Sequence, residues 1–168
     1  MAFQFRGRSL AQVGVVGSGQ IGPDIALFFA KVFAPAGTQI VVVDVVQNAL
    51  DKGRAKLTGK IKKGEESGAF TPEQSRQMLD SVTFTTDYGR LRDADMIVEA
   101  ATENRDLKRK IFAQLESLCP ARTLLASNSS HLEPEEIFAD LKHPGRSLVI
   151  HYFFPAERNV VVEVVPGA

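Results

Sequence analysis

A glycine-rich turn that follows an apolar run constrains this chain more than any other sequence feature. The run Gln12–Val16 predicts a short buried strand, and a helical pattern begins a few residues later. The glycines between them have G-x-G-x-x-G spacing, which allows a tight turn, close approach of an anion to the backbone, and close helix packing. The helix N-terminus adds unpaired N–H groups and the positive end of its dipole. We therefore predict a phosphate-binding loop made of Gly17, Ser18, Gly19, Gln20, Ile21 and Gly22.

The residues after this loop predict that the bound phosphates belong to NAD. An apolar stripe over Ile25–Val32 predicts the helix, and the run Gln39–Val43 predicts a second strand that ends in Asp44. Asp44 lies 22 residues after Gly22, close to the spacing of roughly 20 at which an acid binds the ribose of NAD. A carboxylate there would repel the 2′-phosphate of NADP, and valines rather than an arginine follow it. The alternative, a glycine-rich turn in another α/β protein, is disfavoured by this combination of elements.

Apolar runs and helical periods alternate along the rest of the chain. This order predicts an α/β fold with a doubly wound (Rossmann-type), mostly parallel sheet, in a single domain over residues 1–168. Two helices, over Asn48–Gly64 and from Thr71 onward, follow the second strand and predict an inserted helical hairpin. Further strands are predicted at Val82–Thr85, Met96–Ala100, Thr123–Ala126, Ser147–Tyr152 and Val160–Val165, and further helices at Arg105–Leu118 and Leu132–Leu141.

The charge and hydropathy of the chain narrow the classes of function. Its 20 basic and 20 acidic residues give no net charge, which argues against a general nucleic-acid binder. No apolar run approaches the length of a membrane span, so we expect no membrane partner. Residues Met1–Ala11 form a polar lead-in without the apolar core of a secretory signal, and Phe3 and Phe5 are expected to pack on the domain edge.

The single cysteine indicates a reducing compartment. Cys119 cannot form an internal disulfide, and we expect a cytoplasmic location. It precedes Pro120 in a predicted helix-to-strand loop, where an ordinary small residue is favoured over a nucleophile. We predict no metal site.

A row of lysines follows one face of the first hairpin helix. Lys52, Lys56, Lys60 and Lys63 are spaced by four, four and three residues and therefore share that face. An ordinary solvated face is one interpretation. The other is a contact surface for an anionic ligand outside the NAD site.

His151 is the best candidate for proton transfer among three histidines. It lies at the end of a predicted strand, and the carboxyl ends of parallel strands form one ligand-binding edge. His143 sits in an exposed turn, whereas the role of His131, after the serine turn, stays open. A histidine base needs a carboxylate partner, and Glu163 lies in an otherwise apolar run where a buried carboxylate requires pairing. Pairing of Glu163 with some other donor remains an alternative.

Several separated motifs resemble the NAD-binding domain of the L-3-hydroxyacyl-CoA dehydrogenases of fatty-acid β-oxidation. The resemblance covers roughly Ala11 to Gly167. The family's serine and histidine are 21 residues apart, as are Ser130 and His151, and its histidine and glutamate are 12 apart, as are His151 and Glu163. The matching stretches are the Gly17 loop, Val98–Ala100 with Glu103–Asn104, Ala126–Ser130, and His151–Phe153 through Pro155 to Val162–Val165.

The resemblance implies roles for individual residues. It implies NAD-dependent oxidation of 3-hydroxyacyl-CoA to 3-ketoacyl-CoA, with His151 as the catalytic base and Glu163 as its partner. Ser130 is expected to hydrogen-bond the substrate hydroxyl and to lie near the nicotinamide. Glu103 and Lys108 match positions that contact the cofactor, with a helix-start acid and a solvated lysine as the alternatives. The basic helical hairpin is also a family feature, although the coenzyme A contacts do not map onto single lysines.

The chain also departs from the family pattern. The family has His-Phe-Phe-Asn-Pro, whereas Phe154 stands here in place of the asparagine, which puts efficiency or substrate choice in question. The family continues beyond the equivalent of Pro166 into a helical domain that supplies dimerisation and part of the acyl site. We therefore expect this chain to be either the cofactor-binding half of a homodimeric dehydrogenase or an NAD-binding module without independent catalysis. A related 3-hydroxy-acid dehydrogenase is a further alternative.

Overall fold

The computed structural model describes residues 3–5 and 7–167, with the backbone alone at Phe5. The strands are β1 (Phe3–Phe5), β2 (Arg8–Leu10), β3 (Gln12–Val16), β4 (Gln39–Val43), β5 (Val82–Thr85), β6 (Met96–Glu99), β7 (Leu124–Ser127), β8 (Ser147–Tyr152) and β9 (Val162–Pro166). The α-helices are α1 (Gly22–Phe33), α2 (Gln47–Glu66), α3 (Pro72–Ser81), α4 (Arg105–Leu118) and α5 (Pro134–Phe138).

Seven strands form one sheet in the order β5-β4-β3-β6-β7-β8-β9. All neighbours pair in parallel except β8 and β9, which are antiparallel. The strand order reverses at β3, because the chain builds outward first through β4 and β5 and then through β6, β7 and β8. The crevice between the carboxyl ends at such a reversal is where ligands bind in this architecture. The predicted doubly wound sheet is confirmed.

Alternate residues of the central strands fill two hydrophobic clusters, one on each face of the sheet. On β3, Val15 joins the cluster that packs against α1, α2 and α3, whereas Val16 joins the cluster that packs against α4 and α5. Both side chains are at most 1% exposed. The helices therefore cover both faces and leave the carboxyl-end edge of the strands free for a ligand.

The predicted helical hairpin after the second strand is present as α2 and α3. Thr71 caps α3 through a capping box with Gln74, and Pro72 occupies the first turn, as the sequence predicts. Two of the lysines on the α2 face are not free: Lys56 and Lys60 both bond to Asp24 at the start of α1, each at 2.8 Å. Asp24 is 1% exposed, so part of this face is a structural contact between α1 and α2.

The structure differs from the sequence prediction in three elements. The polar lead-in, for which no strands were predicted, contains β1 and β2 paired as an antiparallel hairpin, and Phe3 packs on Phe33 at 5.0 Å between ring centroids. Residues 1, 2 and 6, the Phe5 side chain and residue 168 lie outside the described part. The helix predicted over Leu132–Leu141 is limited to α5. The last strand, predicted as buried, is an edge strand with exposed valines.

Within residues 3–5 and 7–167, none of the helices has the length and apolar character needed to cross a membrane.

Candidate active site

The glycine loop joins β3 to α1 with its backbone packed against neighbouring chain. Gly17 has φ +104°, and a Cβ there would lie 2.7 Å from the carbonyl oxygen of Ala100. A Cβ at Gly22 would overlap the carbonyl oxygen of Gly17, so the third glycine lets α1 start against the loop. A Cβ at Gly19 would meet no atom of the described residues within 4 Å. The loop thus leaves open space at the one glycine where a pyrophosphate is expected to approach.

Asp44 holds the same loop from the end of β4. One carboxylate oxygen accepts the Ser18 N–H at 2.7 Å, and the other accepts the Val46 N–H at 2.9 Å. The Gly17 N–H donates to the carbonyl of Val43 at 2.8 Å. The acid predicted to select NAD is therefore fixed beside the phosphate-binding loop and partly exposed to the cleft.

A cleft of about 570 Å³ lies over this edge of the sheet. Its walls are the glycine loop, Asp44 with the two valines after it, the turn Ala100–Thr102 after β6, and one face of α4. Tyr88 closes one side; burial raises the pKa of its hydroxyl, and the nearby charges of Asp44 and Glu99 add to that rise. The cleft joins the ends of β3, β4 and β6 into one dinucleotide-sized groove.

Glu103 connects the turn after β6 to the serine turn after β7. Its carboxylate accepts the hydroxyl of Ser129 and, at 3.1 Å, the N–H of Ser130. Burial acts to raise the pKa of Glu103, but the Ser129 hydroxyl and the Lys108 ammonium outweigh it and the pKa is lowered. Ser130 Oγ lies 3.4 Å from Nδ1 of His131, whose imidazole is mostly exposed. Ser130 is thus held at the cleft edge by Glu103.

Lys108 does not line the cleft. Its side chain is 1% exposed, and Nζ lies 2.8 and 2.9 Å from the two carboxylate oxygens of Glu99 and 3.2 Å from Glu103. The alternative of a solvated lysine is wrong for this residue. Its ammonium is held by two carboxylates, and the contact with the cofactor that the resemblance implies stays a prediction.

His151 and Glu163 face each other across β8 and β9. They are direct cross-strand partners in the register, and His151 Nδ1 lies 3.4 Å from Glu163 Oε2. Nδ1 is buried and has no hydrogen-bond geometry to any partner within the described residues. The burial argument for Glu163 is wrong, because its side chain is 58% exposed on the edge strand. The two residues are nevertheless adjacent, because antiparallel pairing places their side chains on one face.

The loop after His151 is tied to the helices rather than to the cleft. Glu157 is 7% exposed and accepts Lys60 at 2.6 Å, while Lys31 donates to its carbonyl at 2.8 Å. Asn159 donates to the carbonyl of Phe153 at 2.9 Å and closes the loop. Phe154, the residue that departs from the family pattern, is 59% exposed to solvent.

Asn128 is a positioning residue that the sequence analysis did not single out. Its side-chain oxygen accepts the Tyr152 N–H at 2.8 Å, and its own N–H donates to the carbonyl of Glu99 at 2.7 Å. It therefore links the ends of β6, β7 and β8. An asparagine directly after a buried strand, before two serines, was the available signal.

The other titratable candidates lie away from the cleft. Burial raises the pKa of the Cys119 thiol to about 11, and its Sγ contacts the carbonyl of Leu91 at 3.3 Å, which fits an ordinary buried residue. His143 is exposed, as expected, and its N–H donates to Glu116.

Comparison with known proteins identifies the family. Residues 12–168 match the family model described as "3-hydroxyacyl-CoA dehydrogenase, NAD binding domain". The chain belongs to this family. It is 35% identical over 155 residues to 3-hydroxyadipyl-CoA dehydrogenase of Escherichia coli K12, covering 92% of this chain and 32% of the relative. It is 33% identical over 156 residues to 3-hydroxybutyryl-CoA dehydrogenase of Clostridioides difficile, covering 93% of this chain and 54% of the relative.

Solved structures in the family share the fold. The crystal structure of 3-hydroxybutyryl-CoA dehydrogenase from Escherichia coli K12 matches with a TM-score of 0.88 and 32% identity, over 94% of this chain and 32% of that one. NAD is thus the cofactor of this 3-hydroxyacyl-CoA dehydrogenase domain. The chain spans between a third and about half of the length of these relatives. The glycine loop, the partly exposed Asp44 and the cleft fit a dinucleotide, because they supply backbone donors, a ribose acceptor and a groove.

Proposed function

We propose that this chain is the cofactor-binding half of an NAD-dependent enzyme that oxidises L-3-hydroxyacyl-CoA to 3-ketoacyl-CoA. The observation that carries the proposal is the position of His151. It lies at the carboxyl end of β8, with Nδ1 3.4 Å from Glu163, at the sheet edge that also holds the glycine loop. A histidine with a carboxylate on one ring nitrogen leaves the other nitrogen for a substrate proton.

Each residue has a stated task in this proposal. NAD bound in the cleft supplies the hydride acceptor. His151 takes the proton of the substrate hydroxyl through Nε2, and Glu163 stabilises the imidazolium that forms. Ser130, held by Glu103 at the cleft edge, donates or accepts a hydrogen bond at the substrate oxygen. The contacts are made by side chains at the ends of different strands, which is how this fold assembles a site.

We further propose that the whole protein is a cytoplasmic homodimer whose C-terminal helical domain completes the acyl-CoA site. The proposal is supported by relatives that are about two to three times longer than the matched region. Light scattering on the protein with whatever follows residue 168 should give twice the mass of the chain.

An NAD-binding module without independent catalysis is the second candidate, and Phe154 favours it. The family's asparagine offers polar atoms beside the nicotinamide, and an exposed phenylalanine supplies none. Phe154→Asn separates the two candidates. A rise in turnover would mean that a functioning enzyme has lost efficiency at this position.

The test of the proposed reaction follows acetoacetyl-CoA reduction with NADH in the protein that includes any C-terminal domain. His151→Ala should lower kcat by roughly 100-fold or more, the usual scale for a general acid–base. His143→Ala, at an exposed position outside the cleft, is the matched control and should leave kcat unchanged. A complete protein that binds NADH but reduces no 3-ketoacyl thioester of any chain length would refute the dehydrogenase function and favour the module.

A further inference from the structure

Glu99 is a buried carboxylate at the end of β6 whose contacts reach both turns of the cleft edge. It is 0% exposed. Oε1 accepts the Ala101 N–H at 2.7 Å, and Oε2 accepts the Ser127 hydroxyl at 2.7 Å. Both oxygens also accept the ammonium of Lys108. All acceptor groups of this buried charge are thereby occupied, as burial of a charge requires.

Two chains of contacts lead from Glu99 to the serine turn. In the first, the Ser127 hydroxyl, which donates to Glu99, also accepts the Ser129 N–H at 3.3 Å. Through Lys108, Glu99 reaches Glu103, which accepts both the Ser129 hydroxyl and the Ser130 N–H. The two routes end at the same turn, so a displacement of Glu99 or Lys108 changes the position of Ser130 from two sides.

The charges in this group do not cancel. Glu99 and Glu103 are two carboxylates around the single ammonium of Lys108, which leaves one net negative charge if all three are ionised. The other groups that face them are the Tyr88 hydroxyl and the exposed imidazole of His131, 3.7 Å from Glu103. Lys108 is thus the cation that allows two carboxylates to share one buried corner.

This corner lies on the nicotinamide side of the cleft. In a doubly wound fold the acid after the second strand of the βαβ unit binds the adenosine ribose, and the helix N-terminus binds the pyrophosphate. Asp44 marks the adenosine side here. The remaining half of the dinucleotide therefore extends over the ends of β6, β7 and β8, where Ala101, Ser129 and Ser130 lie.

We infer that Glu99 is a positioning residue for the nicotinamide half of the cofactor, acting through Ala101 and the Ser129–Ser130 turn, with Lys108 as its buried counter-charge. This inference rests on NAD binding by the domain. It gives Lys108 the task of holding Glu99 and Glu103, because its ammonium lies 2.8 Å from Glu99 and 3.2 Å from Glu103.

The test compares two ligands on the 168-residue chain. NADH contacts both halves of the cleft, whereas ADP lacks the nicotinamide and its ribose and uses only the adenosine half and the glycine loop. Calorimetry should show that Glu99→Gln and Lys108→Met each lower the affinity for NADH by about tenfold or more, the usual cost of a lost charged hydrogen bond. The affinity for ADP should stay within about twofold, since Asp44 and the glycine loop are untouched.

Two further variants keep the test decisive if the single charge changes impair folding. Ser127→Ala removes only the hydroxyl between Glu99 and Ser129, and it should lower the affinity for NADH by about threefold. The double variant Glu99→Gln/Lys108→Met removes both buried charges, so its melting temperature should exceed that of Lys108→Met. Its NADH affinity should not recover, because Glu103 has still lost its cation.

Glu116→Gln is the matched control for loss of a carboxylate that is mostly buried. Glu116 lies on α4 like Lys108, accepts the N–H groups of Lys142 and His143, and is remote from the cleft lining. It should leave both affinities unchanged. Unaltered NADH binding in the Glu99 and Ser127 variants, or an equal loss of affinity for NADH and ADP, would overturn the inference. A wild-type chain that binds neither ligand would instead overturn the cofactor function itself.

Discussion

The two ends of the cleft edge differ in how completely their polar groups are satisfied. Around the glycine loop, both Asp44 oxygens and the Gly17 N–H have partners within 3 Å. At the other end, His151 Nδ1 has no hydrogen bond to any of the described residues, Glu163 is largely exposed, and the outer face of β9 carries exposed valines. We therefore expect cofactor binding to be a property of this chain alone, and proton transfer to depend on contacts that it does not itself supply.

The strongest test of the cofactor end is Gly19→Val. A side chain there would fill the open space that the pyrophosphate needs, and NADH affinity should fall by more than roughly 100-fold. Gly59→Val is the matched control, because a Cβ at that α2 glycine also meets nothing within 4 Å but lies away from the cleft. Fluorescence titration with NADH measures both, and circular dichroism verifies that they are folded. Normal NADH binding by the Gly19 variant would mean that the loop does not hold the cofactor.

The catalytic end is tested by Glu163→Gln in the protein that includes any C-terminal domain. Turnover of acetoacetyl-CoA should fall by about 30-fold, since an amide does not stabilise the imidazolium. NADH affinity should not change, because Glu163 does not line the cleft. Glu135→Gln, at another exposed acid, serves as the comparison and should have no effect. A loss of NADH binding instead of rate would contradict the separation of the two ends.

Asp44→Asn tests whether the charge of Asp44 selects NADH over NADPH. The amide oxygen can still accept the Ser18 N–H, but the contact with the Val46 N–H and the negative charge are lost. The preference for NADH over NADPH should therefore shrink by about tenfold, mainly through tighter NADPH binding. Calorimetry with both cofactors measures this. An unchanged preference would assign the selectivity to another group.

The smallest effect is a difference in how much two carboxylates, those of Glu157 and Glu163, contribute to the stability of the domain. Burial acts to raise the pKa of Glu157, but Lys60 outweighs it and the pKa lies below the ordinary value of 4.5. Glu157 therefore contributes stability above that ordinary value, and the contribution is lost as the pH falls through the lowered pKa. Glu157→Gln should cost about 1 kcal/mol at neutral pH, and this cost should shrink at acidic pH as the Glu157 carboxylate of the wild-type chain becomes protonated.

Glu163→Gln should leave the melting temperature unchanged at neutral and at acidic pH, because its carboxylate is 58% exposed. Thermal melts of both variants measure the contrast. Equal losses of stability would show that the Glu163 carboxylate on the edge strand stabilises the fold as much as the Glu157 carboxylate in the loop before it.

The central strands could be predicted from sequence because their burial is encoded locally. Gln12–Val16 and Gln39–Val43 are apolar runs bounded by polar or glycine residues, and both strands have these limits in the structure. The run that contains Glu163 has the same composition but an exposed position. A continuous apolar stretch indicates a strand, and it does not indicate whether anything covers that strand.

The candidate site was predictable in part for a similar reason. The glycine loop, Asp44 and the pairing of His151 with Glu163 depend on fixed spacings, which a sequence displays. The burial of Lys108 depends on two carboxylates from other segments, and a lysine in a helical pattern looks solvated by default. The hairpin of β1 and β2 was missed because strands of three residues carry too few positions to establish a period.

The cross-strand pairing of His151 with Glu163 limits how the connection between β8 and β9 can change in length. In an antiparallel pair a shift of one residue moves every side chain of the shifted strand to the opposite face. An insertion or deletion of one residue that is absorbed by sliding β9 would place Val162 or Val164 opposite His151 and turn the carboxylate away. The nine residues from Phe153 to Val161 are therefore open to substitution at their exposed positions, but their number is fixed by the register of the strands on either side.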